Sequence, residues 1–261
     1  MSFADAKQRF SNRVADYVRY RPGYPGALIE LLRKECGLRS DHVVADVGSG
    51  TGLLSKLFLE NGNRVFGIEP NEEMRQAGEE FLSSFTSFAS GKGSSESTTL
   101  PGASVDFITA AQAFHWFEPL ATRREFSRIL KPRGWVLVIW NDRRIAESAF
   151  GRAYENLLVR YGTDYTRVKE AYPEADDMEK FFGRGNFQQR ELPNFQELDF
   201  AGLAGRLRSS SYAPKQDDAN YAPMMAALRE LFEANQESGR VRMNYTTQIY
   251  FGHLDAMRNA G

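Results

Sequence analysis

Three glycines, two carboxylates and one histidine carry most of the chemistry legible in this chain. The run Val43 to Gly52 reads VVADVGSGTG. It has the form of a buried strand (Val43, Val44, Val47) ending in Gly48, Gly50 and Gly52. An amphipathic segment follows at once, with Leu53, Leu54, Leu57 and Phe58 on one helical face. A glycine turn of this kind lets a ligand approach bare backbone at a helix N-terminus. Asp46 stands two residues before Gly48, and Glu69 closes the next strand-like run, Arg64 to Glu69. A carboxylate at that strand end can accept two hydrogen bonds from a ribose diol.

The spacing discriminates among nucleotide-like ligands. A dinucleotide fingerprint needs G-x-G-x-x-G, and here Leu53 falls where its third glycine would be. A P-loop needs Gly-Lys-Ser/Thr after the turn, which this chain lacks. Asp46 would repel a pyrophosphate but suits a cationic ligand. Farther along, Gly93 to Pro101 (GSSESTTLP) reads either as a plain linker or as a polar ligand loop. His115, in Ala113-Phe114-His115-Trp116, is the best candidate for a general base; a structural histidine bonded to a carbonyl is an equal alternative. Trp116 and Phe117 read more readily as core than as substrate wall, and Arg143 with Arg144 more readily as a solvated pair than as anion-binding groups. His42, His115 and His253 are far apart and lack a cysteine cluster, so no metal site is expected. Cys36 is the only cysteine, which excludes an intrachain disulfide and points to buried filler.

The elements needed to position these residues follow from periodicity. Residues 1–39 read as helical, broken by YRPGYP at Tyr20 to Pro25, where the prolines disfavour helix. Strand Val43–Val47, helix Leu53–Glu60 with a stop at Asn61-Gly62, and strand Val65–Glu69 come next. Asn71 can cap a helix carrying Met74, Ala77 and Phe81 inward. A short strand near Phe88, strand Val105–Ala110, a helix from Pro119 to Leu130 and the apolar run Trp135–Trp140 complete the rhythm. Strand and helix alternate through residue 142, which predicts an open, doubly wound α/β sheet with ligands at the carboxyl ends of its strands. Beyond Asp142, segments 143–184 and 213–239 read as helical cap, and Gln188–Phe200 and Arg240–Phe251 as the last, partly antiparallel strands. The expectation is a Rossmann-like, seven-stranded, mostly parallel sheet. Residues 1–39 form an N-terminal lid, 40–142 the core, and 143–261 the cap segments plus last strands.

Bulk properties narrow the partners. At 261 residues with 42% hydrophobic content, the chain fits one large domain. A net charge of −1 gives no basic footprint for nucleic acid. No window approaches transmembrane length, and the start MSFADAKQRF has no apolar core of a leader, so a cytoplasmic location without membrane contact is expected.

Together the motifs resemble those of class I S-adenosylmethionine-dependent methyltransferases. The first motif, Asp46–Gly52 (DVGSGTG), suits a ligand bearing a sulfonium and an amino group. With Tyr20–Pro25, Gly67–Asn71 (GIEPN), Gly93–Pro101, Asp106–Phe117 and Leu130–Gly134 (LKPRG), the set is similar to the UbiE-like, trans-aconitate-methyltransferase-like small-molecule branch. The resemblance covers Phe10 to Asp142 well and the remainder loosely. It implies S-adenosyl-L-methionine as cofactor. Gly48, Ser49, Gly50 and Gly52 would meet its methionyl part, with Asp46 near the amino group and Glu69 on the ribose. Pro70 and Met74 would line the adenine, and Ser94, Ser95 and Glu96 would face its edge. Ala111 and Gln112 would lie beside the methionine. Phe114, His115 and Trp116 would face the methyl-transfer zone, with Tyr20, Arg21 and Asn141 on the acceptor. Two departures stand out: Ser94 where many relatives have Asp, and Arg133 in place of the first glycine of K-P-G-G. The implied activity is methyl transfer to a small-molecule acceptor, a carboxylate or hydroxyl favoured, by a monomer or homodimer. A catalytically silent cofactor-binding module and a nucleic-acid methyltransferase are the alternatives; a nicotinamide oxidoreductase is disfavoured by the glycine spacing.

Overall fold

The computed structural model describes residues 14–170 and 175–254. The helical expectations for 1–13, for 171–174 within the cap, and for 255–261 lie outside the described residues. Helices α1 (Val14–Tyr20) and α2 (Ala27–Cys36) flank the proline-containing joint, as its sequence demands. Then β1 (Val43–Val47), α3 (Leu53–Glu60), β2 (Arg64–Ile68), α4 (Glu72–Phe81), β3 (Phe88–Gly91) and β4 (Val105–Ala111) alternate, followed by α5 (Pro119–Ile129) and β5 (Leu130–Arg143). The caps explain where the helices start. The Asn71 side chain accepts from the Met74 N–H at 3.0 Å, and the Glu118 carboxylate takes the N–H groups of Leu120 and Ala121 ahead of α5.

The remaining elements are α6 (Ala149–Tyr161), α7 (Tyr165–Glu170), α8 (Ala175–Phe182), β6 (Phe187–Leu198), α9 (Phe200–Arg208), α10 (Tyr221–Asn235) and β7 (Val241–Gly252). The strands form one seven-stranded sheet in the order β3-β2-β1-β4-β5-β7-β6. The first five are mutually parallel; β7 runs antiparallel between β5 and β6. The chain turns outward in opposite directions from β1 and β4, which makes their carboxyl ends the switch point where a ligand crevice opens.

Three findings refine the expected layout. Strand β5 runs three residues past Trp140, because β7 zips it through Asn141↔Thr247, Asp142↔Thr246 and Arg143↔Tyr245. Helix α8, expected in the cap, instead packs Phe181 against Phe126 of α5 with ring centroids 6.1 Å apart, on one face of the sheet. Helix α9 was not anticipated. Its Asp199 cap accepts from the Gly202 N–H at 2.7 Å, and Leu203, Ala204 and Leu207 share a buried face. Gly202 and Gly205 depress its intrinsic helix propensity and disguise it in the sequence.

Three apolar clusters hold the molecule together. One packs α2 and α3 on one face of the sheet through Leu28, Leu32, Phe58 and Phe251. A second packs α5 and α8 on the other through Phe126, Ile129, Val136 and Phe182. The third lies within the cap, around Tyr154, Leu158, Leu203 and Leu228. Each fully buried side chain of this size contributes about 1.5–3 kcal/mol. The N-terminal helix is fastened to the cap. The Tyr20 ring lies so close over Gly205 that a Cβ there would fall 2.1 Å from it, and Arg208 donates to Asp16 at 2.9 Å. Among the described residues no helix is long and apolar enough to cross a membrane.

Candidate active site

The glycine turn after β1 is left-handed at all three glycines, with φ of 70°, 55° and 81° at Gly48, Gly50 and Gly52. Side chains are therefore disfavoured there whatever the space. The space itself divides the three. A Cβ on Gly48 would sit 2.6 Å from the Ala113 methyl, and one on Gly52 would sit 2.5 Å from Leu82, whereas Gly50 would meet only the end of Met74 at 3.3 Å. Close packing requires Gly48 and Gly52, whereas at Gly50 only the left-handed backbone and the end of Met74 stand against a side chain. Ser49 places its hydroxyl against Gly67 of β2.

Asp46 is fully buried and accepts from the Ser55 hydroxyl at 2.6 Å and the Thr109 hydroxyl at 2.8 Å. Burial pushes its carboxyl up and these two hydrogen bonds partly offset that. It ties β1 to α3 and β4, with one hydroxyl on each of its oxygens. The Glu69 carboxylate lies at the end of β2, where one oxygen accepts from the Gly50 N–H at 2.9 Å and the other from the Asn71 N–H at 2.8 Å. Burial raises this carboxyl to about 7 despite both bonds. Each oxygen keeps a lone pair, so two further donors, such as a ribose diol, would stabilise its charged form. Beside it the Thr51 hydroxyl is buried with no hydrogen-bond partner among the described residues. A carboxylate short of donors, bonded to the left-handed turn through Gly50, and an orphaned hydroxyl on that turn fit a polar nucleoside-like ligand. Met74 is buried with its methyl over Gly50, and Pro70 is half-buried beside it.

The segment from Ser94 to Glu96 is neither a linker nor a free polar edge. Ser94 and Ser97 form a β-bridge, and the Ser95 hydroxyl is buried between Glu96 and Thr122. Burial pushes the Glu96 carboxyl up, but bonds from Ser94, the Glu118 N–H and Ser95 outweigh it and hold the group below its usual range. These polar atoms satisfy one another and fasten the loop to the start of α5.

A cavity of about 210 Å³ lies beyond the ends of β4 and β5. Arg21, Gln112, Asn141, Arg143, Arg206 and Tyr212 are among its lining. Gln112 has φ of 55°, a left-handed backbone unusual for its type, at the point where β4 ends. Asn141 faces the cavity, but its amide also donates to the Gly23 carbonyl at 3.1 Å and its oxygen accepts from Thr247 at 2.6 Å, so it braces the lid. Arg21 donates to the Ser209 carbonyl at 2.8 Å, joining lid to cap. Tyr20 is spent on Gly205 and Ala111 is absent from the lining, so neither meets the cavity.

The Phe114 to Trp116 segment is also corrected. Phe114 is core, edge-on to Phe181 at 4.7 Å. His115 packs between Trp116 and Trp140, 4.7 and 6.1 Å from their rings, and neither it nor Trp116 lines the cavity. Burial lowers His115 to about 4, which leaves it neutral and a weak base. Arg143 is the opposite case. Expected in solvent, it is largely buried and donates to Tyr212 at 2.9 Å, Tyr165 at 2.6 Å and Glu155 at 3.2 Å. Arg144 does lie half-exposed, paired with Glu147. Among the described residues no group of three His, Cys, Asp or Glu side chains could hold a metal.

Sequence reasoning missed Tyr17, Tyr24, Arg206 and Tyr212 of this cavity. For Arg206 a signal existed in the apolar spacing of α9 after the capping Asp199, and for Tyr24 in the YRPGYP motif that contains it; Tyr17 and Tyr212 carry no local pattern.

A family model described as a methyltransferase domain matches residues 45–138. An uncharacterized methyltransferase of Geobacillus sp. (strain WCH70) is 30% identical over 155 residues, covering 57% of this chain and 71% of the relative. An uncharacterized methyltransferase of Mycobacterium tuberculosis is 33% identical over 139 residues, covering 53% of this chain and 54% of the relative. The chain thus spans about half the length of the first curated relatives it matches. Among solved structures it shares its fold with the YcgJ protein of Bacillus subtilis (TM-score 0.55, 16% identity, 89% and 100% of the two chains covered). It shares it also with phosphoethanolamine N-methyltransferase 2 of Haemonchus contortus, solved with phosphomonomethylethanolamine and S-adenosylhomocysteine (TM-score 0.56, 13% identity, 97% and 59% covered). Fold and strand-end crevice define a Rossmann-like class I methyltransferase, and the chain belongs to the family of that methyltransferase domain.

Proposed function

We propose that this protein transfers a methyl group from S-adenosylmethionine to a small-molecule acceptor held in the cavity beneath the cap. The observation that carries the reading is the junction of two spaces at one set of strand ends. The turn from Gly48 to Gly52 with Glu69 forms the cofactor side, and the cavity at Gln112 and Asn141 begins one strand away. When bound, the cofactor supplies a methyl already activated on a sulfonium. The chain's part is alignment and exclusion of water, which such a transfer chiefly needs. Glu69 would hold the ribose hydroxyls, Gly50 would admit the ligand to bare backbone, and Gln112 would mark the border between the two spaces. Neutral, buried His115 offers no strong base, which favours an acceptor that arrives ionised, such as a carboxylate, over an alcohol.

Calorimetry tests the first half: heat on titration with S-adenosylmethionine and S-adenosylhomocysteine, and none with NAD. Heat from NAD alone would overturn it. Transfer of labelled methyl from the cofactor to a fractionated extract tests the second. Cofactor binding without any labelled product would leave a silent binding module.

A further inference from the structure

The cap side of the cavity holds more positive charge than its own carboxylates balance. Arg21, Arg143, Lys169 and Arg206 line it, against one acid among the described residues, Asp142. Behind the wall Glu155 accepts from both Arg143, at 3.2 Å, and Lys169, at 2.7 Å, so one carboxylate serves two cations. Arg206 is the most exposed to this imbalance electrically and the least exposed to water. Its side chain is 4% accessible, and its Nη1 donates to the Ser210 hydroxyl at 3.0 Å. Its buried Nε has no hydrogen-bond partner among the described residues. No acidic side chain pairs with it there either; its electrostatic neighbours are the tyrosines 245, 212 and 154 and the like-charged Arg143. The Tyr154 hydroxyl, equally buried, also lacks a partner among the described residues.

A buried guanidinium without an anion is an unfavourable arrangement, since desolvation is not offset by a counter-charge. Arg143 donates to Tyr212, and Arg206, an electrostatic neighbour of the same tyrosine, keeps a donor unused among the described residues; a guanidinium carries the planar fork of donors that binds a carboxylate. The rest of the lining is suited to the body of such a molecule. Tyr17, Tyr24 and Tyr165 contribute aromatic side chains to it, and Leu53, Ile145 and Val168 contribute aliphatic ones. We infer that the cavity contains an anion subsite, built by Arg206 and Arg143 with Tyr212 between cap and β5, which takes the carboxylate of a small, ring-bearing organic acid. The inference rests on the acceptor reading of the cavity and specifies the acceptor's class. Arg206 and Arg143 are then the specificity-determining residues. Both lie outside the segment matched by the methyltransferase family model, residues 45–138.

The test uses the full chain and four probes by calorimetry: benzoate, its neutral isostere benzamide, phenyl phosphate and S-adenosylhomocysteine. Benzoate is expected to bind and benzamide to bind at least about tenfold more weakly. Arg206→Met, which keeps length and packing but removes the charge, is expected to weaken benzoate by about tenfold or more while S-adenosylhomocysteine stays within about twofold. Arg143→Met serves the same purpose if the first variant does not fold, and the benzoate–benzamide contrast needs no variant. A wild-type protein that binds both alike, or neither, overturns the subsite, as does a folded Arg206→Met protein with unchanged benzoate affinity. Phenyl phosphate binding more tightly than benzoate overturns the assignment to a carboxylate. Loss of S-adenosylhomocysteine binding with benzoate retained would instead defeat the methyltransferase reading and leave the subsite standing.

Discussion

The crevice at the ends of β1 and β2 and the cavity at the ends of β4 and β5 are neighbours on one sheet, yet they are built on different plans. In the crevice the polar groups are largely satisfied by the fold itself, much of it by backbone. Asp46 holds two hydroxyls, and Glu69 holds two backbone N–H groups. In the cavity the polar groups come from the lid, β5 and the cap, and one buried donor of Arg206 is left unused among the described residues. The difference teaches that the part of a site shared by a family can be fixed by backbone geometry. The part that selects a substrate is assembled from side chains far apart in the chain, on a scaffold that tolerates their exchange.

The largest expected effect separates fold from ligand within the crevice. Gly48→Ala forces a Cβ to 2.6 Å from Ala113 at φ of 70°. It should destabilise the protein by about 2–5 kcal/mol, the left-handed and overpacking contributions combined. Gly50→Ala, at φ of 55° and facing only the flexible end of Met74, should cost about 1–2 kcal/mol. It should nonetheless weaken S-adenosylhomocysteine more than its stability loss implies, because its methyl stands where backbone meets ligand. Thermal melts and calorimetry on both variants check this. Equal melting temperatures for the two would break the distinction.

The same contrast explains what was legible in the sequence. Strand and helix alternation through β5, the seven-stranded sheet and the glycine turn were readable because each rests on local periodicity or a contiguous motif. Asp46 and Glu69 were located correctly, but their partners were not. Ser55 and Thr109 are polar residues inside apolar runs, and only the pairing of β1 with β4 brings them together. The contacts of Ser95 and Glu96 were not legible, because a Ser-rich stretch reads as linker or ligand loop until Thr122 and Glu118 close on it. Arg143 was misread because the length of β5 is set by β7, about a hundred residues on, and not by its own sequence.

A smaller effect concerns the charge of Glu69, and here stability and affinity move in opposite directions with pH. Burial raises its folded carboxyl from 4.5 to about 7. Between those values the native state keeps a proton the unfolded chain has released, so ligand-free stability falls as pH rises through that window. Donors from a ribose diol favour the charged carboxylate, so the cofactor binds with proton release. Its affinity should therefore strengthen with rising pH up to about 7, by up to about tenfold per unit, and level off above. Titrations of S-adenosylhomocysteine across that range, in buffers of different ionisation enthalpy, read both the slope and the proton. A dissociation constant independent of pH would remove Glu69 from the ribose.

The smallest effect is expected at His115, which stands beside both regions and lines the cavity of neither. Its ring is packed against Trp116 and Trp140, and its basicity is lowered to about 4 by burial. A general base at this position would lose about 10²–10⁴-fold in turnover when removed, and the rate would carry a histidine-like rise with pH. Packing predicts something else. His115→Phe keeps a ring between the two tryptophans, so turnover should stay within about threefold, while His115→Ala should lose about 1–3 kcal/mol of stability. The wild-type rate should show no inflection near the ordinary histidine value, because the folded ring is already neutral there. Rates for both variants, measured from pH 5.5 to 8.5 alongside their melting temperatures, decide the matter. A folded His115→Phe protein with turnover reduced a hundredfold, the loss confined to the chemical step, would move His115 from the core into the site. The boundary between crevice and cavity would then have to be redrawn through the Phe114 to Trp116 turn.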